Sequence, residues 1–163
     1  MKKFVLTETT QEYLGIKLYQ IKAIRAFGSV EEGELGGWAE KEENISHYGD
    51  AWVSENAWVY GDARVYGDAR VYGDARVETC KHIAWFPSVG SENATLTAYT
   101  IKTGEIEVTR GCFRGTLDEF KAAVQQQHSD TQHGQGYLLL IQFIRVRFQG
   151  VTVEINEAEE ETP

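Results

Sequence analysis

A hexad repeat in the middle of the chain constrains its fold more than any other feature. From Val59 the sequence reads VYGDAR three times and then VETCKH. The same phase extends backwards through VSENAW from Val53, HYGDAW from His47, KEENIS from Lys41 and LGGWAE from Leu35. Every sixth position from Val53 to Ile83 is Val or Ile, and the position four later is Ala at Ala39, Ala51, Ala57, Ala63, Ala69 and Ala75, with Ile at Ile45. A period of six matches neither an α-helix nor a simple two-sided hairpin. It fits short strands, Ala-Arg-Val-Tyr, with Ala and Val turned inward and Arg and Tyr outward. Gly-Asp then makes each corner, because Gly accepts unusual dihedrals and Asp can bond nearby backbone.

Three such hexads make a coil of eighteen residues, so residues eighteen apart are expected to stack. Trp52 then lies beneath Arg70, Trp58 lies between Glu40 and Arg76, Tyr48 aligns with Tyr66, and Tyr60 lies between Glu42 and Glu78. Guanidinium over indole is a favourable cation–π arrangement. The pattern resembles the hexapeptide-repeat family, which implies a left-handed parallel β-helix. The string GELGGWAEKEENISHYGDAWV resembles the lead-in of uncharacterised phage and prophage proteins with hexapeptide repeats. GCFRGTLDEF and the helix after it resemble the small α/β domain of the same proteins. The fold this implies is mainly β. It has an N-terminal strand cap over residues 1–34, a short β-helix over 35–82, a small α+β domain over 83–150 and an acidic tail over 151–163. So short a coil buries little core by itself. A homo-oligomer, a trimer as in the family, is therefore expected to bury Tyr48, Trp52, Trp58, Tyr60, Tyr66 and Tyr72 between subunits.

The flanks follow local rules. Residues 13–31 suggest one or two strands. Ile83–Phe86 reads as a strand, and Thr95–Ile101 and Ile106–Thr109 as a hairpin around Lys102-Thr103-Gly104-Glu105. Thr116 followed by Glu119 is a capping box, and Leu117, Phe120 and Val124 give the apolar stripe of a helix ending near His128. Tyr137, Ile141, Ile144 and Phe148 sit at helical spacing, although Ile144, Val146 and Phe148 also fit a strand. Val151, Val153 and Ile155 suggest a final strand.

Charge narrows the partners. Of a net −9, residues 151–163 supply five glutamates (Glu154, Glu157, Glu159, Glu160, Glu161) and no basic residue. No basic face is visible, which argues against direct binding to duplex DNA. No apolar run approaches the roughly 20 residues of a membrane span. Two cysteines, Cys80 and Cys112, make no disulfide scaffold and no zinc motif, so the expected location is cytoplasmic, with no metal and no cofactor.

Three chemistries deserve weighing. Acyl transfer is common among hexapeptide-repeat proteins and needs a histidine base, but the repeat here carries no inserted loop, and His47, His82, His128 and His133 are scattered. Cys112 precedes a helix N-terminus beside Arg110 and Arg114, an arrangement that stabilises a thiolate, yet nothing fixes a base beside it. Arg110, Gly111, Arg114, Gly115 and Thr116 form a candidate anion cradle with the helix amides, with Lys102 and Ser91 able to join it. The reading that follows is a non-enzymatic phage accessory protein that binds or sequesters a host protein or a phosphate-bearing signal, to counter antiviral defence. An acyltransferase-like enzyme is the alternative.

Overall fold

The N-terminus forms a long hairpin laid over the repeat. The computed structural model describes residues 1–153. Strands β1 (Phe4–Tyr13) and β2 (Ile16–Ala23) pair antiparallel. They turn at Leu14 and Gly15, whose φ values of 48° and 79° suit the mirror-image turns that right-twisted hairpins prefer. β1 begins well before the expected Tyr13. Its middle, Thr-Glu-Thr-Thr-Gln-Glu, is largely exposed, so it carries almost no alternation of burial to betray it; only the ends, Phe4 and Tyr13, are buried.

β2 pairs antiparallel with β3 (Leu35–Ala39), and β3 then pairs parallel with β5 (Trp58–Val59), which pairs parallel with β7 (Arg76–Val77). The result is a five-stranded mixed sheet in the order β1-β2-β3-β5-β7. A second pair, β4 (Trp52–Val53) with β6 (Arg70–Val71), is parallel. Both Trp52–Arg70 and Trp58–Arg76 are eighteen residues apart. The expected left-handed β-helix is nevertheless corrected. Parallel pairing occurs in two-residue pieces, the larger sheet is half antiparallel, and the offset between layers is not constant.

The valines of the repeat, Val53, Val59, Val65, Val71 and Val77, are fully buried in one core with Ala51, Ala57, Ala63, Ala69 and Ala75. The hairpin completes that core with Phe4 and Ile21. It also covers outward aromatics. Trp52 is 1% exposed and packs edge-on against Phe4 and Phe27, while Trp58 and Tyr60 are buried against Tyr13. These three side chains were expected at a subunit interface; they are inside the protomer, because a distant segment of the same chain lies on them.

Beyond the repeat, β8 (Ile83–Val89), β9 (Ala94–Thr100), β10 (Ile106–Arg110) and β11 (Phe113–Thr116) form an antiparallel meander. The sequence suggests a strand and a hairpin here; β11 is a further strand beyond them. β8 runs through Pro87, and its register shifts between Phe86 and Val89, as the missing proline N–H requires. Helices α1 (Leu117–His128) and α2 (Gln132–Arg147) cover the meander, burying Leu117, Phe120, Val124, Tyr137, Ile141 and Ile144 against Leu96, Ala98 and Val108. Thr116 caps α1 through the expected box with Glu119. Ile144 and Val146 are helical, so the strand alternative there is discarded. Val151 and Val153 lie in no strand. Ile155 and the tail glutamates fall outside the described residues.

Threonines join the meander to the repeat. Arg70 donates its N–H to Thr97 Oγ1, and Thr109 and Thr100 donate hydroxyl protons to the carbonyls of Arg70 and Arg76. These bonds satisfy backbone groups that an uncovered strand edge would leave open. No helix among the described residues is long and apolar enough to cross a membrane.

Candidate functional site

The offset between layers changes at one place, and a cleft opens there. Trp38 pairs with Trp58 and Ile45 with Val65, each twenty residues on. A few residues later Trp52 pairs with Arg70, eighteen on, and the Asp50 N–H already bonds the Asp68 carboxylate. Two surplus residues therefore lie between Ile45 and Asp50, opposite Tyr66. The segment Ser46-His47-Tyr48 bulges outward to accommodate them.

The bulge is firmly anchored. Asn44 is buried and donates from its side-chain amide to the carbonyls of Gly61 and Ala63 in the next layer. His47 turns back towards the N-terminus and stacks on Phe4, with ring centres 4.4 Å apart. Its Nδ1 accepts the Lys3 N–H, which leaves Nε2–H to donate to Glu42 Oε1 at 2.6 Å. Glu42 also takes the Lys2 ammonium at 2.8 Å, and the hydrogen bonds from Lys2 and then His47 hold its carboxyl below the usual range. Ser46 Oγ accepts the Tyr48 N–H and donates to the Tyr48 carbonyl, closing the bulge on itself.

With its root fixed, Tyr48 stands in solvent at 79% exposed, and Tyr66 is 50% exposed with its ring set edge-on to Trp85. Both tyrosines line a cleft of about 450 Å³, together with Ile45, Val65, Arg64 and Glu43. Arg64 is exposed and, among the described residues, makes no hydrogen bond or ion pair. That sets it apart from the arginines of the meander.

The expected cradle is placed differently. Arg110 pairs with Glu92 at 3.1 Å, donates to the Val89 carbonyl and lies over the Tyr137 ring. Arg114 is held by Glu107 at 2.8 Å and Glu55 at 2.9 Å. Lys102 faces Asp74, and Ser91 is an exposed loop residue. Gly111 serves the β10–β11 turn with a φ of 55°. Gly115 packs against Glu119, whose carboxylate already accepts the Thr116 N–H at 2.7 Å at the start of α1. The chain's own carboxylates thus occupy the positions an anion would take, and the cationic groups are not gathered around a common point.

The reactive candidates are dispersed as well. Cys80 and Cys112 are free and exposed. Cys112 and His128 edge an apolar cleft of about 280 Å³ over Phe113 and Phe120. His82 Nδ1 accepts the Thr79 N–H, and Nε2 meets the Thr152 carbonyl at 2.9 Å. Among the described residues no three His, Cys, Asp or Glu side chains come together as a metal site.

Sequence reading placed Tyr48 and Tyr66 on one face but took that face for an interface, and it passed over Arg64 and Glu43. A signal was present. The hexads starting at Lys41 and His47 are the two within the repeat that lack an aliphatic residue in the first position after the Leu35 hexad.

No family model matches the chain, and no curated protein matches it. With the mixed sheets described above, the likeness to hexapeptide-repeat phage proteins is withdrawn.

Proposed function

We propose that this protein is a non-enzymatic binding protein that takes a small ligand into the Tyr48–Tyr66 cleft and sequesters it. One observation carries the reading: two exposed tyrosines and an unpaired guanidinium line the same concave site. Pockets with an apolar lining and a few placed polar groups are the usual form of small-molecule sites.

Binding is favoured over acyl transfer by the state of the histidines. A general base needs a ring nitrogen available to the reacting group. In the one histidine that borders the cleft, His47, both nitrogens are already engaged. Sequestration of a phosphate-bearing signal falls within this reading. The antiviral context came from the family resemblance and has no counterpart in the fold. Trimeric assembly loses much of its footing, since Trp52, Trp58 and Tyr60 are covered within one chain.

The test is ligand carry-through. Protein purified from a cell extract is heat-denatured, and the released small molecules are compared by mass spectrometry between wild type and a Tyr48→Ala/Tyr66→Ala variant. A compound present with the first and depleted with the second is the expected outcome. Identical profiles would remove the cleft from consideration.

A further inference from the structure

We infer that the cleft is built for a mononucleotide: one planar base between Tyr48 and Tyr66, with its phosphate on Arg64. The inference rests on the binding reading above and names the class of ligand.

Layer spacing comes first. Strands in register lie about 4.8 Å apart, and the layers carrying Tyr48 and Tyr66 are neighbours through Asp50 and Asp68. Two outward tyrosines on adjacent layers would ordinarily meet face to face. Here they do not, and among the described residues neither ring touches the other. Tyr66 is drawn to Trp85, with ring centres 4.2 Å apart, while the two extra residues push Tyr48 out of line. The two exposed rings line one cleft without touching each other, and a flat aromatic group in that cleft has both to pack against.

Arg64 supplies the second element. It precedes Tyr66 by two residues and shares its outward side, because Ala63 and Val65 between and before them are buried. Arg64 and Tyr66 both line the cleft, so one small ligand reaches the ring and the guanidinium together. A guanidinium presents a planar fork to phosphate oxygens, and Arg64 has no carboxylate to release first, unlike Arg110 and Arg114. The charge of Glu42 beside it is answered by Lys2 and His47. Glu43, exposed at the edge of the cleft, is an acceptor for an exocyclic amino group. A volume of about 450 Å³ lies near the small end of ligand sites, which run from roughly 300 to 1,000 Å³. It suits one nucleotide, not a polymer.

Calorimetric titration of the full chain with AMP, adenosine and inorganic phosphate tests the assignment. AMP is expected to bind once per chain, adenosine about tenfold more weakly, and phosphate without measurable heat. Arg64→Ala should bring AMP down to the adenosine level. Tyr48→Ala, at an exposed position where folding is not at stake, should weaken AMP and adenosine together by about tenfold, the scale of one lost stacking partner. AMP binding no better than adenosine, or indifferent to Arg64→Ala, would overturn the inference. If AMP does not bind but carried-through ligand still depends on Tyr48 and Tyr66, the nucleotide class falls and the binding reading stands; if both experiments are blank, both fall.

Discussion

The guanidinium of Arg76 lies 3.5 Å from the centre of the Trp58 ring, and both side chains are buried. The two residues are strand neighbours one layer apart, Trp58 on β5 and Arg76 on β7. Arg76 also donates to the carbonyls of Asn56 and Ala75. Desolvation strengthens a cation–π contact, and loss of the donor takes a partner from the Asn56 carbonyl, while the Ala75 carbonyl keeps the Trp58 N–H. Arg76→Ala should therefore destabilise the fold by about 2–4 kcal/mol, read as a fall in the urea midpoint. Arg76→Lys should recover only part, since an ammonium cannot lie flat on the indole while keeping the same fork of bonds.

Trp52 separates burial within a chain from burial between chains. Because Phe4 and Phe27 already enclose it, Trp52→Ala should cost about 3–5 kcal/mol, as for other large-to-small core changes. The mass in solution, measured by light scattering on the folded fraction, should not change. A stable variant of reduced mass would restore the interface reading.

Lys3 gives the stability a pH dependence. It is fully buried, with its ammonium on the carbonyls of Gly49 and Ala51 and near the Phe27 ring. Burial, the leading cause, lowers its pKa from 10.5 to about 8, with Asp50 opposing the shift. Between those two values the unfolded chain keeps a proton that the folded chain has released, so stability rises with pH there. Urea midpoints should increase from pH 8 to pH 9.5, and Lys3→Met should flatten the slope. Above pH 10 the trend reverses, because burial and the bond to Glu107 keep Tyr99 protonated in the folded state beyond the usual phenol range.

Gly36 marks the crossing of hairpin and repeat. A Cβ there would meet the Val53 carbonyl at 2.6 Å, besides side-chain atoms of Ile21 and Trp52. The carbonyl cannot move without disturbing β4, so Gly36→Ala should lower stability by about 1–3 kcal/mol. Gly136→Ala, where a Cβ meets open space on α2, should be neutral or stabilising. Thermal unfolding of the two variants side by side checks the contrast.

An Arg110→Ala/Arg114→Ala variant should bind AMP as wild type does. Its arginines serve Glu92, Glu55 and Glu107, at a distance in sequence and sheet from the Tyr48 cleft. A loss of AMP affinity would move the site back to the meander.

Local chemistry wrote much of this fold legibly. The inward Val and Ala columns, the Gly-Asp corners at Gly61, Gly67 and Gly73, all with positive φ, and the Thr116 cap each depend on residues close in the chain or on a strict period. So do the apolar stripes of α1 and α2. These features express backbone preference and side-chain alternation, which any reader of the sequence can follow. Whether Trp52 or Tyr48 meets solvent is another kind of question. Both stand at outward positions of the same repeat, but β1 and β2 cover the first and miss the second. Burial by a segment forty residues away leaves no periodic trace. Likewise Arg64 and Arg114 look equally available on paper, and only packing places Glu55 against one and nothing against the other. The sequence by itself determined the rhythm of strands and caps, because those are short-range. Tertiary structure decided which aromatics and charges remain unspent, because partners distant along the chain are chosen by folding.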